Sequence, residues 1–95
     1  MRLEYTDKAI SDLVRLRQFI EEHDPLAANR MAARLAEGIA LLREQSQLGY
    51  PVVLAPDPES IRDLVLRGYI VRYATTNNRI LILRVWHHRE DWKQP

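Results

Sequence analysis

Apolar residues recur with two different periods along this chain, and the period changes near residue 60. Before that point they recur every three or four residues, the spacing of one face of an α-helix. After it they alternate with polar residues, the spacing of a half-buried β-strand. A short alternating stretch, "RLEYT", also opens the chain. The pattern predicts an α+β domain with two layers and the order β-α-α-β-β-β, in which a mostly antiparallel sheet packs on a helical hairpin.

Two amphipathic helices are predicted before residue 50. Thr6 or Asp7 caps the first helix, and Asp24 caps the second, which runs from about Pro25 to Gln45 before Gly49 stops it. The first apolar face consists of Ala9, Leu13, Leu16 and Ile20, widened by Ile10 and Val14, with Lys8, Asp12, Arg15, Glu21 and Glu22 mostly off it. The second face consists of Ala28, Met31, Ala32, Leu35, Ile39 and Leu42. Short connections of this kind join antiparallel helices.

The last three strands are predicted to form an antiparallel meander, with reversals at Gly68 and at "TTNNR", where Asn77 and Asn78 tolerate positive φ. Alternation divides their side chains between the two faces of the sheet. The set expected to face the helices is Leu64, Leu66, Val71, Tyr73, Leu81, Leu83 and Val85. The set expected to face away is Asp63, Ile70, Arg72, Ile80, Ile82, Arg84 and Trp86.

The face that points away from the helices has an unusual composition. It combines the guanidiniums of Arg72 and Arg84 with an indole, Trp86, and with branched aliphatic side chains. Such a mixture is typical of a binding surface that has an apolar anchor and cationic contacts. The alternative is that the C-terminal tail "HREDWKQP" folds back and covers this face.

Length and composition limit the class of protein. Ninety-five residues form one domain, 1–95, and a hydrophobic share of 46% with 28% charged residues is that of an ordinary globular chain. The chain has no cysteine, which fits a reducing compartment. It shows no secretory signal and no apolar stretch long enough to cross a membrane. We therefore expect a cytoplasmic protein without a membrane partner.

Basic charge is concentrated in residues 60–89, although the net charge is only +1. All of it is arginine, and a single acid, Asp63, accompanies it. The six arginines are Arg62, Arg67, Arg72, Arg79, Arg84 and Arg89. Guanidinium suits bidentate contact with carboxylate or phosphate, so the bias indicates an acidic or polyanionic partner. The alternative is that these arginines lie on a solvated strand surface and are balanced by acidic residues on the helices.

Catalytic chemistry has few candidates in this sequence. His87 and His88 are the candidate proton-transfer groups, because imidazole suits general acid–base chemistry, and Arg72 and Arg84 could clamp a phosphate. Alternation along a continuing strand would place the two histidines on opposite faces, so at most one would join the arginines. No spacing resembles a zinc motif and the three glycines are isolated, so neither a metal, a phosphate loop nor a cofactor is expected.

Four motifs occur in an order that resembles a known family. They are "EYTDKAISDLVRLRQFI" with its Ala9, Asp12 and Leu13, "DPLAANRMAARLAEGIALL" followed by "LGYPV", "IRDLVLRGYIVRY", and "ILILRVWHHREDW". Together they span nearly the whole chain. The chain resembles the RelE/ParE superfamily, the toxins of bacterial type II toxin–antitoxin pairs, and is more similar to ParE.

The resemblance implies a toxin that is silenced by a cognate antitoxin, whose C-terminal segment wraps it. ParE-like toxins inhibit DNA gyrase, whereas RelE-like toxins cleave messenger RNA in the ribosome. RelE-like nucleases carry a lysine-rich or Glu/His constellation and often a C-terminal tyrosine, but this chain has only Lys8 and Lys93 and no tyrosine after Tyr73. The resemblance therefore favours gyrase inhibition.

Two alternatives to gyrase inhibition remain open. One is a ribosome-dependent endoribonuclease with His87, His88, Arg72 and Arg84 as its catalytic candidates. The other is an inactive family member that only binds an antitoxin. For the gyrase hypothesis the predicted target contacts are Arg62, Arg72, Arg84, Trp86, His88 and Arg89.

Overall fold

In the computed structural model, which describes residues 1–57 and 60–90, two α-helices pack on one face of a five-stranded sheet. The strands are β1 (Arg2–Tyr5), β2 (Tyr50–Pro51), β3 (Ile61–Leu66), β4 (Tyr69–Thr76) and β5 (Arg79–His87), and the helices are α1 (Asp7–Glu21) and α2 (Pro25–Ala40). The sheet order is β1-β5-β4-β3-β2, with β1 parallel to β5 and the other neighbours antiparallel. The predicted α+β architecture is confirmed, and the two-residue β2 is an addition to it.

Side-chain caps fix where both helices begin. Thr6 Oγ1 accepts the Ala9 amide at 3.0 Å, and Asp24 Oδ1 accepts the Ala27 amide at 3.1 Å, so each cap satisfies a donor that the first helical turn leaves open. The second helix ends earlier than predicted. After Ala40 the chain tightens into a 3₁₀ turn at Leu41–Arg43, a common way for an α-helix to finish.

The hairpin turns follow the predicted residues. The reversal between β3 and β4 has φ of 43° at Arg67 and 90° at Gly68, and the reversal between β4 and β5 has φ of 40° at Asn77 and 66° at Asn78. Positive φ at both central residues matches the right-handed twist of the flanking strands. These tight turns set the register in which β4 pairs with its two neighbours.

The prediction of which β5 side chains face the helices is wrong over half of the strand. Arg72 pairs with Arg84, but the next residue, Tyr73, pairs with Ile82, so one residue of β5, Leu83, bulges out of the ladder. One extra residue reverses the alternation. Ile80 and Ile82, predicted to face away, are therefore fully buried in the core, while Leu81 and Leu83 are half-buried and lie outside it.

The core lies between the sheet and the helical hairpin. From the sheet it receives Leu64, Val71, Tyr73, Ile80, Ile82 and Val85, and from the helical layer Ala9, Leu16, Met31, Leu35, Ile39 and Leu42. On α1 the buried stripe is narrower than predicted, since Ile10 and Val14 are about half exposed. Asp12, which was predicted to lie off the stripe, is instead buried, at 2% exposure.

Gly49 has a different role from the helix stop that the sequence indicated. A Cβ atom there would lie 2.8 Å from the Asp63 carbonyl oxygen and from the Tyr73 ring, so a side chain would collide with β3 and with the core. The Gly49 amide donates to the Tyr73 hydroxyl at 2.9 Å, and that hydroxyl donates to the Ser46 carbonyl at 2.8 Å. A buried tyrosine thus fastens the segment after α2 to the sheet.

Candidate functional site

Among residues 1–57 and 60–90, no strand pairs with one side of the second half of β5, and α1 lies there instead. The parallel pairing with β1 ends where Tyr5 meets Ile82. Beyond it, the Thr6 hydroxyl donates to the Leu83 carbonyl at 2.9 Å, and the Val85 amide donates to Asp12 Oδ2 at 2.9 Å. An uncovered strand edge exposes unpaired backbone groups, so these side chains complete its hydrogen bonding. They also bring α1 against the strand that carries the predicted contacts.

Asp12 is the centre of this junction. Arg84 donates to it from Nε at 2.7 Å and from Nη2 at 3.0 Å, and Arg15 Nη1 donates at 2.6 Å. Burial raises the pKa of Asp12, but the hydrogen bonds from Arg84, Arg15 and the Val85 amide together hold it below its ordinary value. The hydrogen bond to Asp12 in turn raises the pKa of Arg84, against the effect of its burial. The carboxylate therefore stays ionised and holds two guanidiniums.

Sequence reasoning missed Asp12 as a site residue. Its position did carry a signal, because it lies three residues after Ala9 and four before Leu16, which places all three on one face of the helix. A carboxylate in a buried stripe needs a cationic or hydrogen-bonding partner. The sequence could not show that this partner is an arginine 72 residues away on β5.

The structure brings Arg72, Arg84 and Trp86 together on the face of the sheet that lies away from the core. The two arginines are opposite each other in the ladder, and their guanidinium carbons lie 5.1 and 5.0 Å from the centre of the indole ring. Arg72 also makes a bidentate ion pair with Asp63, with both contacts at 2.9 Å. Each guanidinium thus has a carboxylate and an aromatic partner within the chain.

The expected apolar strip on this face is not open. Trp86 is 9% exposed and Ile70, its partner across the ladder, is 2% exposed, while Ile82 faces the core. The alternative prediction is that the C-terminal tail covers this face. That tail includes residues 91–95, which lie outside the described residues. On this face the described residues present a cluster of paired side chains, Arg72 with Asp63 and Arg84 with Asp12, packed around Trp86.

The remaining predicted contacts lie elsewhere. Arg62 is opposite Tyr73 in the ladder, on the core side of the sheet, and donates to the Gly49 carbonyl at 2.9 Å. His88 and Arg89 are exposed in the turn that follows β5. The six predicted target contacts therefore divide into a paired cluster, one arginine on the opposite face and two exposed residues at the strand end.

The two histidines are neighbours rather than on opposite faces, because β5 ends at His87 and the chain then turns. Their ring centroids are 4.4 Å apart, and the His87 ring meets Tyr69 edge-on at 5.2 Å. The His88 amide donates to the Gly68 carbonyl at 2.7 Å. Burial lowers the pKa of His87, and the nearby charges of His88 and Arg89 lower it further, against the opposing effect of Glu90.

A cleft of about 630 Å³ opens beside these histidines. It is lined by Arg15, Leu16, Phe19, Ile20, Tyr69, His87, His88, Arg89 and Glu90. Burial raises the pKa of Tyr69, and the charge of Glu90 raises it further, so its hydroxyl stays protonated at neutral pH. Within residues 1–57 and 60–90, no group of three or more histidine or acidic side chains could hold a metal ion.

A second, larger groove of about 890 Å³ lies between α2 and the end of β3. Its apolar wall includes Met31, Leu35, Val65 and Leu66, and its rim carries exposed Arg30, Arg34 and Arg67 beside one acid, Glu37. None of these three arginines forms an ion pair with any carboxylate in the described part of the chain. This region offers both an apolar and a cationic surface.

No helix of the described residues is long and apolar enough to cross a membrane.

Comparison with known proteins agrees with this architecture. Toxin RelE2 of Caulobacter vibrioides is 32% identical over 84 residues, which cover 87% of this chain and 90% of that protein. A chain of the chromosomal ParDE TA system from P. aeruginosa has the same fold, with a TM-score of 0.78 at 23% identity over 92% of this chain and 95% of that one. So does a chain of the RelBE2 toxin–antitoxin complex from Mycobacterium tuberculosis, with a TM-score of 0.61 at 21% identity over 94% and 92%.

The family assignment rests on a match over almost the whole chain. The family model described as the ParE toxin of the type II toxin–antitoxin system parDE matches residues 3–92. That range contains both helices, β2 to β5, all of β1 except Arg2, and the end of β5 with its arginines and histidines. This chain belongs to the ParE toxin family of type II toxin–antitoxin systems.

Proposed function

We propose that this protein is the toxin of a toxin–antitoxin pair and that it acts by binding DNA gyrase rather than by cleaving RNA. Membership of the ParE toxin family supports the toxin role. The observation that carries the binding mechanism is the state of the two central arginines. Asp63 engages Arg72 and Asp12 engages Arg84, each through two hydrogen bonds. Neither guanidinium is available to clamp a reacting phosphate without breaking its pair.

Cleavage of RNA by 2′-hydroxyl attack requires cations at the phosphate together with a general acid and a general base. Lys8, at the start of α1, is the single lysine among the described residues, far along the chain from His87 and His88. Binding to a large protein makes no such demand. It requires exposed contact residues held on an ordered support, and His88 and Arg89 in the turn that follows β5 fit that requirement.

In this proposal the six predicted contacts have different roles. His88 and Arg89 touch the target directly, since both are exposed in the turn after β5. Arg72, Arg84 and Trp86 form the paired cluster on β4 and β5 and add further contacts from that face of the sheet. Arg62, on the opposite face, contacts the target only if the target extends around the β2 edge of the sheet.

The experiment uses the purified full chain. We expect it to inhibit DNA supercoiling by gyrase and to trap broken DNA, while messenger RNA in a translating extract stays intact. We expect the His88→Ala/Arg89→Ala double variant to inhibit about tenfold or more weakly, because two interface side chains are removed. Arg43→Ala, which removes an exposed arginine in the 3₁₀ turn, serves as the control and should leave inhibition unchanged.

One observation favours the endoribonuclease alternative. The lowered pKa of His87 keeps its imidazole neutral at physiological pH, as a general base must be, and it lines a cleft with Arg15, Tyr69 and Arg89. Cleaved messages with normal supercoiling in the same experiment would reject gyrase inhibition in favour of this mechanism. Absence of any growth defect on induction would instead favour an inactive, antitoxin-binding protein.

For the antitoxin we propose the groove between α2 and β3 as a docking site. A stable pair buries on the order of 1,200 Å² or more. An acidic, amphipathic segment would place apolar side chains on Met31, Leu35 and Leu66 and carboxylates near the rim arginines. The ParDE and RelBE2 assemblies among the structural neighbours support an antitoxin partner.

Charge reversal tests this docking site. We expect Arg34→Glu to weaken binding of the cognate antitoxin by about tenfold or more, because a repulsive charge replaces an attractive one. Lys8→Glu makes the same charge change outside the groove and should leave binding unaltered. Equal losses in the two variants, measured by titration calorimetry at one salt concentration, would reject the site.

A further inference from the structure

The turn that follows β5 is fastened at two points, and one of them is on α1. Glu90 Oε1 accepts the His87 amide at 2.8 Å and Arg15 Nη2 at 3.1 Å. The Glu90 amide donates back to the His87 carbonyl at 2.9 Å, which closes the turn. At the other point the His88 amide donates to the Gly68 carbonyl in the β3–β4 hairpin. The turn is therefore held between a helix and a hairpin that are distant in sequence.

Arg15 divides its guanidinium between two carboxylates. Nη1 donates to Asp12 and Nη2 donates to Glu90, and Nη2 also lies 3.4 Å from the Val85 carbonyl oxygen. Burial lowers the pKa of Arg15, but the hydrogen bonds to Asp12 and Glu90 raise it further than burial lowers it. Asp12 is buried and is itself bound by Arg84 and by the Val85 amide. Its contact with Arg15 therefore fixes the position of the guanidinium that binds Glu90.

We propose that Glu90, held by Arg15, is a positioning residue that fixes His88 and Arg89 in the conformation that binds the toxin's target. This inference rests on the proposed function, in which those two side chains touch the target. An exposed ion pair contributes little to global stability. If the pair orders the contact residues before binding, less conformational entropy is lost when the target binds. Removing the pair should therefore lower the affinity for the target.

Two variants of matched chemistry separate positioning from stability. Glu90→Ala removes the acceptor of the His87 amide together with the Arg15 ion pair. Glu21→Ala removes a second exposed acid that pairs with a guanidinium of α1, Arg17, at 3.7 Å, without touching the turn. Glu90→Gln keeps an oxygen for the His87 amide and loses the charge, so it should give a partial loss.

The first measurement is hydrogen exchange of the His87 amide, followed by NMR. We expect exchange to accelerate about tenfold or more in Glu90→Ala, while the thermal midpoint stays within about 2 °C of the parent protein. The control variant should keep the parent exchange rate. If the His87 amide of Glu90→Ala keeps its protection, Glu90 does not hold the turn and the inference is overturned.

The second measurement is potency, taken as the concentration that halves gyrase supercoiling and as the inducer level that halves growth. We expect Glu90→Ala to require about tenfold more of each, Glu90→Gln less, and Glu21→Ala no change. Full potency in Glu90→Ala despite faster amide exchange would overturn the inference. If the parent protein arrests growth without inhibiting gyrase, the gyrase proposal fails, and the growth measurement alone then supports or overturns the role of Glu90.

Discussion

Replacing Asp12 by alanine is expected to lower the free energy of unfolding by about 3 kcal/mol, measured by urea denaturation. The substitution leaves the buried Val85 amide without an acceptor and deprives Arg84 and Arg15 of their shared carboxylate. The two guanidiniums are 35% and 43% exposed, so water compensates part of the loss and the cost stays below that of a fully buried pair. Glu21→Ala, on the same helix, should change stability by less than about 0.5 kcal/mol.

The stability that Asp12 contributes should depend on pH in a defined direction. Its pKa in the folded protein lies below the ordinary value, despite the opposing effect of burial. The contribution is therefore fully present above the pKa of the unfolded chain and is lost as the pH falls through the lower folded pKa. Asp12→Asn cannot ionise, so its stability should fall less steeply than that of the parent between about pH 5 and pH 2. Parallel curves for the two proteins would contradict the assignment.

The second large effect concerns the register of β5. Ile82→Ala is expected to cost about 3 kcal/mol of unfolding free energy, because it opens a cavity in a fully buried site between the sheet and the helices. Leu81→Ala, one residue earlier, should cost about 1 kcal/mol or less, because Leu81 is half-buried and lies outside the core.

This pair of variants tests the bulge directly. Without the extra residue at Leu83, the alternation that places Val85 in the core would also place Leu81 there and turn Ile82 away. Urea denaturation of both variants therefore distinguishes the two registers. A larger loss in Leu81→Ala than in Ile82→Ala would show that the strand pairs without a bulge.

The junction around Asp12 also connects the fold to the proposed function. The carboxylate that completes the edge of β5 fixes Arg84, and through Arg15 it reaches the turn that carries His88 and Arg89. A change at Asp12 should therefore lower both stability and potency. A change at Glu90 should lower potency with little change in stability. Comparing variants at the two positions therefore distinguishes the effect of overall stability from the effect of positioning His88 and Arg89.

Local features of this protein were determined by the sequence alone. The helical period of α1 and α2, the cap at Asp24, the choice of Thr6 or Asp7 for the first cap, and the turns at Gly68 and at Asn77–Asn78 depend on residues a few positions apart, whose spacing and backbone preferences are read directly. The order of elements and the α+β class follow from the same short-range signals. The family resemblance rested on four such motifs in order.

Tertiary structure alone decided which β5 side chains face the core and which carboxylates pair with the arginines. The run "ILIL" is apolar on both faces, so periodicity could not show where one residue would bulge. The pairing of Arg84 with Asp12, of Arg72 with Asp63, and of Arg15 with Glu90 joins residues from different elements. The contacts of Asp12 and Glu90 depend on the packing of α1 beside β5, and the contact of Asp63 depends on the register between β3 and β4. No local pattern encodes how these separate elements meet.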